Sequence, residues 1–442
     1  MRQQPASPLA PGPAGLAATI SSDTGHTRRV PIKVVAATVA GNALEFFDFI
    51  TYAFFAVYIG QAFFPASTPF MSLLLSVAVF GVGFVFRPLG GIVIGAYADR
   101  VGRKPAMLLT IALITVGTLG LALTPSYNSI GAAAPLIVVF CRLVQGLALG
   151  GEVGPASAFL FEIAPPDQRG LYSSWQLASQ GIAAFMAGTI GTVLSMLLDR
   201  SQLAAWGWRV PFLLCLVLIP VAVYLRRAMP ETLERGPASQ ARPRARVRDH
   251  SGFIVLAVLL ILGGTVSTYV GNYMTTYAIA TLHFPPTTAL AATIIGGLAI
   301  LVFALIGGWL SDRFGRRPVM LIPRVLLAVV TWPMFLLLSS QPSVTTLFVV
   351  TVVLNGLTAA SAAVSLVVIP ELLPRSIRAT GLAIAYAIGV SLFGGTTQVI
   401  ITYLIEFTGD ASSPAWYVTL TSIITACAMW ALPESRGREL DE

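Results

Sequence analysis

The chain has 442 residues, of which 56% are hydrophobic and only 10% are charged, with a mean hydropathy of +0.81 and a net charge of +8. Soluble proteins carry about 25% charged residues, so this composition excludes a soluble globular protein and indicates a membrane protein with many spans. Residues 1–31 are rich in Pro, Ala, Ser and Gly without a compact apolar segment. We expect them to form a disordered cytoplasmic tail rather than a signal peptide.

Apolar runs long enough to cross a bilayer, which takes about 20 residues, follow one another along the rest of the chain. Twelve spans are predicted, at residues 33–59, 71–97, 105–124, 135–160, 170–196, 207–226, 251–280, 288–310, 318–338, 344–369, 377–404 and 415–432. The pattern predicts an all-α membrane protein with six-helix bundles at 32–226 and 251–433. An Arg-rich cytoplasmic linker, 227–250, separates them, and residues 434–442 form a cytoplasmic tail.

The basic residues predict the orientation, because Lys and Arg accumulate in cytoplasmic loops. With both termini and every even-to-odd loop inside, only Arg200 and Arg209 fall outside, while Arg87, Arg142 and Arg324 lie within spans. Both termini are therefore predicted to be cytoplasmic. The positive charge then reflects topology and contact with anionic lipid, and no nucleic-acid partner is expected.

A polar motif occurs twice, once in each predicted bundle. Residues 95–105 and 308–318 share the pattern Gly-x-x-x-Asp-Arg-x-Gly-Arg-Lys/Arg-Pro, each in the loop after the second span of its bundle. A second pair of loops, after the fourth and tenth spans, places Glu and Arg seven residues apart each time. A duplicated motif at half-protein spacing indicates a duplicated fold, which is the architecture of transporters whose halves move about a central site.

These duplicated loops resemble the major facilitator superfamily over the whole span region. Residues 41–49, 87–91 and 142–152 are similar to its metabolite:proton symporter family, whose members move citrate, 2-oxoglutarate, shikimate, proline or betaine with protons. Residues 47–65 and 173–180 are closest to its citrate and tricarballylate members. The resemblance implies the major facilitator fold, two pseudo-symmetric six-helix bundles with alternating access.

The duplicated loops are predicted to form a cytoplasmic gate, with acidic side chains at the amino ends of helices, where exposed N–H groups favour an anion. Asp312 is expected to face the fifth span near Gly170, and the family resemblance places the eleventh span opposite Asp99. Arg103 is expected to pair with Glu162 and, in the other half, Arg316 with Glu371. The alternative is that the loop charges only enforce topology. The predicted gate residues are Asp99, Arg100, Arg103, Glu162, Asp312, Arg313, Arg316 and Glu371.

Ionisable residues within spans point to function, because each costs some 2.5–3.5 kcal/mol on insertion scales unless it is paired or hydrated. Glu45 and Asp48 share one helix face with Asn42 and Tyr52, and Arg142 lies at a depth that allows it to meet Asp48. An acid that pairs with an arginine when ionised and releases it when protonated is a proton switch. The alternative is a static buried ion pair. The predicted coupling residues are Asp48 as the principal carrier, Arg142 as its partner, Glu45 and Glu152.

The second bundle has no acid that corresponds to Glu45, Asp48 or Glu152, so neutral groups are expected to recognise the substrate there. Arg87 is expected to bind a carboxylate, to neutralise an acid or to support the structure, and Arg324 to snorkel to the inner surface. The predicted substrate-binding residues are Asn42, Tyr52, Arg87, Arg142, Gln145, Gln176, Gln180, Tyr269, Asn272, Tyr273, Asn355 and Gln398.

The sequence therefore predicts a monomeric proton symporter of the cell inner membrane that imports a small organic acid, with a di- or tricarboxylate such as citrate favoured. Three cysteines and three histidines without metal-ligand spacing predict no metal, and no nucleotide fingerprint is present, so no cofactor is expected. No nucleophile–base constellation supports an enzyme. The alternatives are a symporter of an osmolyte or shikimate-like acid, a proton-driven drug exporter, and a sensor on the same fold.

Overall fold

The computed structural model describes residues 32–101, 103–228, 251–373 and 378–437, and these residues are almost wholly helical. The helices are α1 (Ile32–Phe54), α2 (Ala56–Phe63), α3 (Pro69–Val85), α4 (Arg87–Val101), α5 (Arg103–Leu123), α6 (Tyr127–Ile130), α7 (Ala133–Ile163), α8 (Arg169–Leu197), α9 (Arg200–Ala205), α10 (Val210–Ala228), α11 (Ser251–Ala280), α12 (Pro286–Phe314), α13 (Arg316–Ser340), α14 (Val344–Leu372), α15 (Arg378–Thr408) and α16 (Pro414–Ala431).

A helix covers each of the twelve predicted spans, and the all-α fold is confirmed. The first span is broken at Phe55, where α1 and α2 bend by 68°, and the second is interrupted at Phe86, between α3 and α4. The predicted tail at 1–31, most of the linker and the last five residues lie outside the described residues.

Glycines bring α3 and α4 into backbone contact with α7. A Cβ atom on Gly146 would lie 1.8 Å from the carbonyl oxygen of Gly83, and one on Gly150 would lie 1.9 Å from that of Arg87. No side chain fits at such distances, so only glycine allows the helices to approach this closely. This packing sets the depth of Arg87 and Arg142, which lie on the two helices it joins.

The two halves meet along two helix pairs. Helix α8 packs against α12 at several levels, where Gly181 faces Gly297 and Gly170 faces Gly308. Helices α3 and α15 touch where a Cβ on Gly81 would lie 2.3 Å from the carbonyl oxygen of Gly395. A cavity of about 1100 Å³, lined mainly by α3, α4 and α15, runs past this contact toward the loop that carries the duplicated motif. The halves are therefore joined on the α8 side and leave an open space on the α4 side.

Gly146→Ala should destabilise the protein, because the new methyl group would overlap the Gly83 carbonyl, and overpacking of this kind costs about 1–3 kcal/mol. Gly95→Ala is the matched control, since a Cβ there meets nothing within 4 Å. Thermal unfolding of both purified variants in detergent measures the effect. Equal melting temperatures for the two would show that the contact between α3 and α7 is not tight.

Candidate functional site

The carboxylate of Asp48 is buried on α1 and held by two neutral donors. The Thr118 hydroxyl donates to Oδ1 at 2.8 Å, and the Gln145 Nε2 donates to Oδ2 at 2.7 Å. The same Gln145 nitrogen lies 3.1 Å from the Thr118 oxygen. Three helices, α1, α5 and α7, therefore contribute one side chain each to a closed acid–hydroxyl–amide cluster. Gln145 was predicted from the sequence as a substrate ligand, and Thr118 was not predicted at all.

Arg142 lies on α7 one turn before Gln145 and is 1% exposed. Its guanidinium carbon stands 3.7 Å from the centre of the Tyr52 ring, and the Tyr52 hydroxyl donates to the carbonyl oxygen of Ser76. Among the residues that the structure describes, none accepts a hydrogen bond from Arg142 Nε, Nη1 or Nη2. Arg142 and Asp48 are close enough for their charges to interact, but the direct hydrogen bonds of Asp48 go to Thr118 and Gln145. A cation stacked on an aromatic face with unused donors can receive an anion.

Asn42 and Gln176 form a reciprocal pair between α1 and α8. The Gln176 amide donates to Asn42 Oδ1 at 3.0 Å, and Asn42 donates to the Gln176 carbonyl oxygen and to the hydroxyl of Ser179. Both were predicted as substrate ligands, and here their hydrogen bonds join two helices. Glu45, on the same face of α1, is 4% exposed. The side chain of Glu152 lies outside the part of the chain that can be described.

Arg87, at the first turn of α4, is enclosed by aromatic rings from both halves. Its guanidinium carbon lies 4.0 Å from the Phe84 ring centre and 4.7 Å from that of Phe49. Tyr269 of α11 completes the enclosure, 5.1 Å from Phe84 ring to ring. No described residue accepts a hydrogen bond from Arg87 Nε or Nη2. Arg87 also lines the large cavity with Tyr386, so this cation faces the opening between the halves.

Neutral polar groups from both halves converge on a narrow central space of about 10 Å³, with room for about one water molecule. Its polar lining residues are Gln180, Thr268, Asn272, Asn355 and Thr358. Three of these, Gln180, Asn272 and Asn355, were predicted as substrate ligands. The structure thus brings them together across the interface between α8, α11 and α14.

Two other predicted ligands of the second half lie elsewhere. The Tyr273 hydroxyl accepts a hydrogen bond from Thr402 at 2.8 Å, so it joins α11 to α15. Gln398 is fully buried, and neither atom of its side-chain amide has a partner among the described residues. Its amide is therefore available to a polar ligand in a way that the Tyr273 hydroxyl is not.

Arg324 was expected to snorkel to the membrane surface, and this prediction was wrong. The side chain is fully buried and donates to the Gly263 carbonyl oxygen at 2.9 Å, the Ser267 hydroxyl at 3.2 Å and the Ser361 hydroxyl at 3.3 Å. These acceptors lie on α11 and α14. Oxygen atoms inside the bundle satisfy most of the guanidinium, which removes the need to reach water.

At the loop end of the α8–α12 interface, Asp312 joins the two halves. Its carboxylate accepts the backbone N–H groups of Gly170 and Leu171, both at 2.8 Å, at the start of α8. An anion at this position is stabilised by the unpaired N–H groups of a helix amino terminus. Arg316 contacts Asp312 at 2.6 Å and Glu371 at 2.9 Å. The structure therefore assembles the second-half pairs expected from the sequence into one network.

Among the remaining predicted gate residues, the structure describes the side chain of Arg313 alone. Arg313 lies over the Trp309 ring, 4.4 Å from its centre, apart from the network around Arg316. The side chains of Asp99, Arg100, Arg103 and Glu162 lie outside the described residues. Their predicted contacts remain predictions.

Glu434 and Ser435 were assigned to a tail, but the structure places them in this network. Glu434 caps α13 by accepting the backbone N–H of Arg316 at 2.7 Å and of Arg317 at 3.0 Å, and Ser435 donates to Glu371 at 2.7 Å. A signal was present in the sequence, because Pro-Glu-Ser at 433–435 repeats Pro-Glu-Thr at 230–232 after the last span of each half. The repeat therefore extends to the residues that follow each bundle.

Buried charged side chains within two packed six-helix halves are the arrangement expected of a membrane transporter. Residues 33–245 match the sugar (and other) transporter family, and residues 256–441 match the Major Facilitator Superfamily. The chain belongs to the major facilitator superfamily, and within it to the metabolite:proton symporter family. It is a multi-pass membrane protein.

Sequence similarity to named transporters extends over nearly the whole chain. A citrate-proton symporter of Salmonella typhi is 37% identical, over 90% of this chain and 93% of that protein. A citrate-proton symporter of Klebsiella pneumoniae is 36% identical over 89% of each chain, and a proline/betaine transporter of Escherichia coli is 32% identical over 92% of this chain and 84% of its own. Among solved structures, the proton:xylose symporter XylE superposes with a TM-score of 0.78 at 18% identity, over 92% of this chain and 97% of that one, which bears on the fold alone.

Glu434→Gln should lower stability at neutral pH by about 1 kcal/mol, the typical value of a helix cap. Burial alone would raise the pKa of Glu434, but the backbone N–H groups of Arg316, Arg436, Arg317 and Ser435 together hold that pKa below its ordinary value. A lowered pKa stabilises the folded state above the unfolded-state value of about 4.3, and this contribution is lost as the pH falls through the folded-state pKa. The melting temperatures of variant and wild type should therefore converge below about pH 4.

The exposed Glu406→Gln variant is the control for this comparison, because Glu406 lies at the end of α15 away from the network. If the melting temperature of Glu434→Gln stays below that of the wild type by the same amount from pH 7 to below about pH 4, the cap does not depend on the charge of Glu434. Scanning fluorimetry in detergent provides the measurement.

Proposed function

We propose that the protein is a proton-coupled symporter that takes up a small di- or tricarboxylate such as citrate across the cell inner membrane. The observation that carries the proposal is a buried titratable carboxylate, Asp48, beside a buried arginine, Arg142, whose guanidinium donors are unused by the described chain. Relatives named citrate-proton symporters share more than a third of its residues. The substrate therefore supplies an anion, and Asp48 supplies the proton site.

The proton step follows from what the neighbours of Asp48 can do. Thr118 and Gln145 both donate to the ionised carboxylate, which allows it to exist in the low-dielectric interior. Protonation converts one oxygen into a donor and removes the negative charge that faces Arg142. Arg142 is then free to bind a substrate carboxylate, so proton uptake precedes or accompanies substrate binding. When the substrate leaves, the positive charge of Arg142 acts on Asp48 again and favours release of the proton from that carboxyl group.

Aromatic packing around Arg87 favours a carboxylate over a betaine. Quaternary ammonium groups are recognised by aromatic cages, and here Phe49, Phe84 and Tyr269 already enclose a guanidinium. The protein's own cation occupies the position that such a ligand would need. Arg87 presents positive charge to the cavity instead, which suits an organic anion.

The gate is part of the same proposal. Asp312, at the end of α12, bonds to the amino end of α8 in the other half, and Arg316 connects Asp312 to Glu371. We take this network as the cytoplasmic lock of the α8–α12 side, which must open and close as the halves rock. Both termini are then cytoplasmic, and the large cavity between α4 and α15 faces the cell interior.

Uptake by proteoliposomes tests the proposed function. We expect labelled citrate to accumulate only with an inward proton gradient, and accumulation to collapse when a protonophore is added. Labelled proline, betaine and shikimate in the same assay distinguish the osmolyte and shikimate alternatives. Accumulation of none of these solutes, together with proton-driven efflux of amphiphilic drugs, would replace the proposal with an exporter.

Asp48→Asn should abolish gradient-driven citrate accumulation while retaining citrate exchange down its own gradient. Asparagine keeps the size and can bond to Gln145 and Thr118, but it cannot carry a proton. Asp199→Asn is the control, because Asp199 caps the short helix α9 with an exposed carboxylate away from the site. Proton-driven accumulation by Asp48→Asn at the wild-type level would remove Asp48 from the coupling step.

A further inference from the structure

Arg324 carries a charge that no described acid neutralises. It is fully buried on α13, and its hydrogen bonds go to the Gly263 carbonyl oxygen and to the hydroxyls of Ser267 and Ser361. Its Nη2 has no partner among the described residues. The described ion pairs of this half are formed by Arg316. Because a buried cation without a counter-ion is costly, the unused donor of Arg324 indicates an anion that is present in only part of the transport cycle.

The unused nitrogen lies close to Gly264, where the missing side chain leaves room for one methyl-sized group. A Cβ on Gly264 would stand 3.7 Å from Arg324 Nη2 and 3.4 Å from the Ala362 methyl group. Gly264 lies one turn before Thr268 on α11, and Ala362 lies one turn after Thr358 on α14. Residues four apart share a helix face, and both threonines line the narrow central space.

The same face of α14 leads from the central space to the large cavity. Thr358 lines the central space, Ala362 follows one turn later, and Leu366, after a further turn, lines the cavity of about 1100 Å³. Ala362 therefore lies between the two spaces along α14, next to Gly264 and close to Arg324. A solute that moves along this face of α14 from one space to the other passes Ala362.

We propose that Arg324 is a second carboxylate-binding position, used by the substrate as it leaves the central space for the cavity. The proposal rests on the proposed function. Its chemistry is a charge-assisted hydrogen bond from Nη2 to a carboxylate oxygen through the opening that Gly264 leaves. Arg142 lies in the amino-terminal half and Arg324 in the carboxy-terminal half, so a substrate with more than one carboxylate has a cationic partner in each half. Arg324 therefore favours di- and tricarboxylates over monocarboxylates.

Binding of labelled citrate and of labelled acetate to purified protein tests the proposal with Arg324→Gln. We expect citrate affinity to fall about tenfold or more, as for loss of a charge-assisted hydrogen bond, and the preference for citrate over acetate to fall with it. Arg209→Gln is the matched control, because Arg209 also donates to neutral acceptors, the carbonyl oxygens of Ala122, Ala205 and Thr124, but lies in the other half, away from Gly264. It should change the melting temperature without changing the citrate preference.

Gly264→Ala provides a second variant that keeps Arg324 and its hydrogen bonds. The added methyl group fits at ordinary contact distances but covers Nη2, so citrate affinity should fall several-fold in a protein of near wild-type stability. Wild-type citrate affinity in Gly264→Ala would overturn the proposal even if Arg324→Gln does not fold. Absence of carboxylate binding by the wild type would instead overturn the proposed function, so the two failures are distinguishable.

Discussion

The free-energy cost of a charge inside a membrane is the constraint on which this structure depends. Ionised groups at the bilayer centre persist only when protein atoms replace water around them. The three described arginines that are buried within spans meet this requirement differently: Arg142 lies on the Tyr52 ring, Arg87 lies among Phe49, Phe84 and Tyr269, and Arg324 bonds to backbone and hydroxyl oxygens. In each case these contacting groups are neutral. Neutral contacts hold a cation without cancelling its charge, so Arg87 and Arg324 retain the ability to attract an anion, and Arg142 retains it in full when the nearby Asp48 is protonated.

Glycine packing is what makes this arrangement possible. Helix α4 approaches α7 so closely that the Arg87 carbonyl oxygen lies against Gly150. The backbone of Arg87 therefore packs directly against α7, the helix that carries Arg142. The contact of Gly81 with Gly395 brings Phe84 and Tyr269 of opposite halves together. The aromatic enclosure of Arg87 is therefore built from both halves and changes whenever they separate. In the proposed cycle, this shared contact would couple substrate binding near Arg87 to movement of the halves.

The sequence predicts those features of the structure that depend on the internal repeat and on the pattern of apolar residues. The twelve spans follow from the length of apolar runs, and the contacts of Asp312 and Arg316 follow from a loop motif that occurs twice. Thr118 could not be found in this way, because a threonine in an apolar span is common and only the tertiary contact with Asp48 distinguishes it. Arg324 was misplaced because its distance from the loop along α13 says nothing about which neighbours supply acceptors. Glu434 was missed because a single acid after the last span resembles a tail until its partner, the amino end of α13, is known.

The unequal distribution of charge between the halves bears on how coupling works. In the described residues, the amino-terminal half holds two buried acids, Glu45 and Asp48, together with Arg142 and Arg87, whereas the spans of the carboxy-terminal half hold Arg324 and neutral groups. Protonation can therefore change the charge of the first half alone. In the proposed cycle, a polycarboxylate between the halves meets the positive charge of Arg324 in the second half at all times, and that of Arg142 in the first half fully only when Asp48 is protonated. Such a substrate can neutralise both arginines only when a proton is also bound, and the halves can then move relative to one another without leaving either charge unpaired. In this proposal, coupling of proton and substrate follows from the electrostatic cost of that movement rather than from direct proton transfer between them.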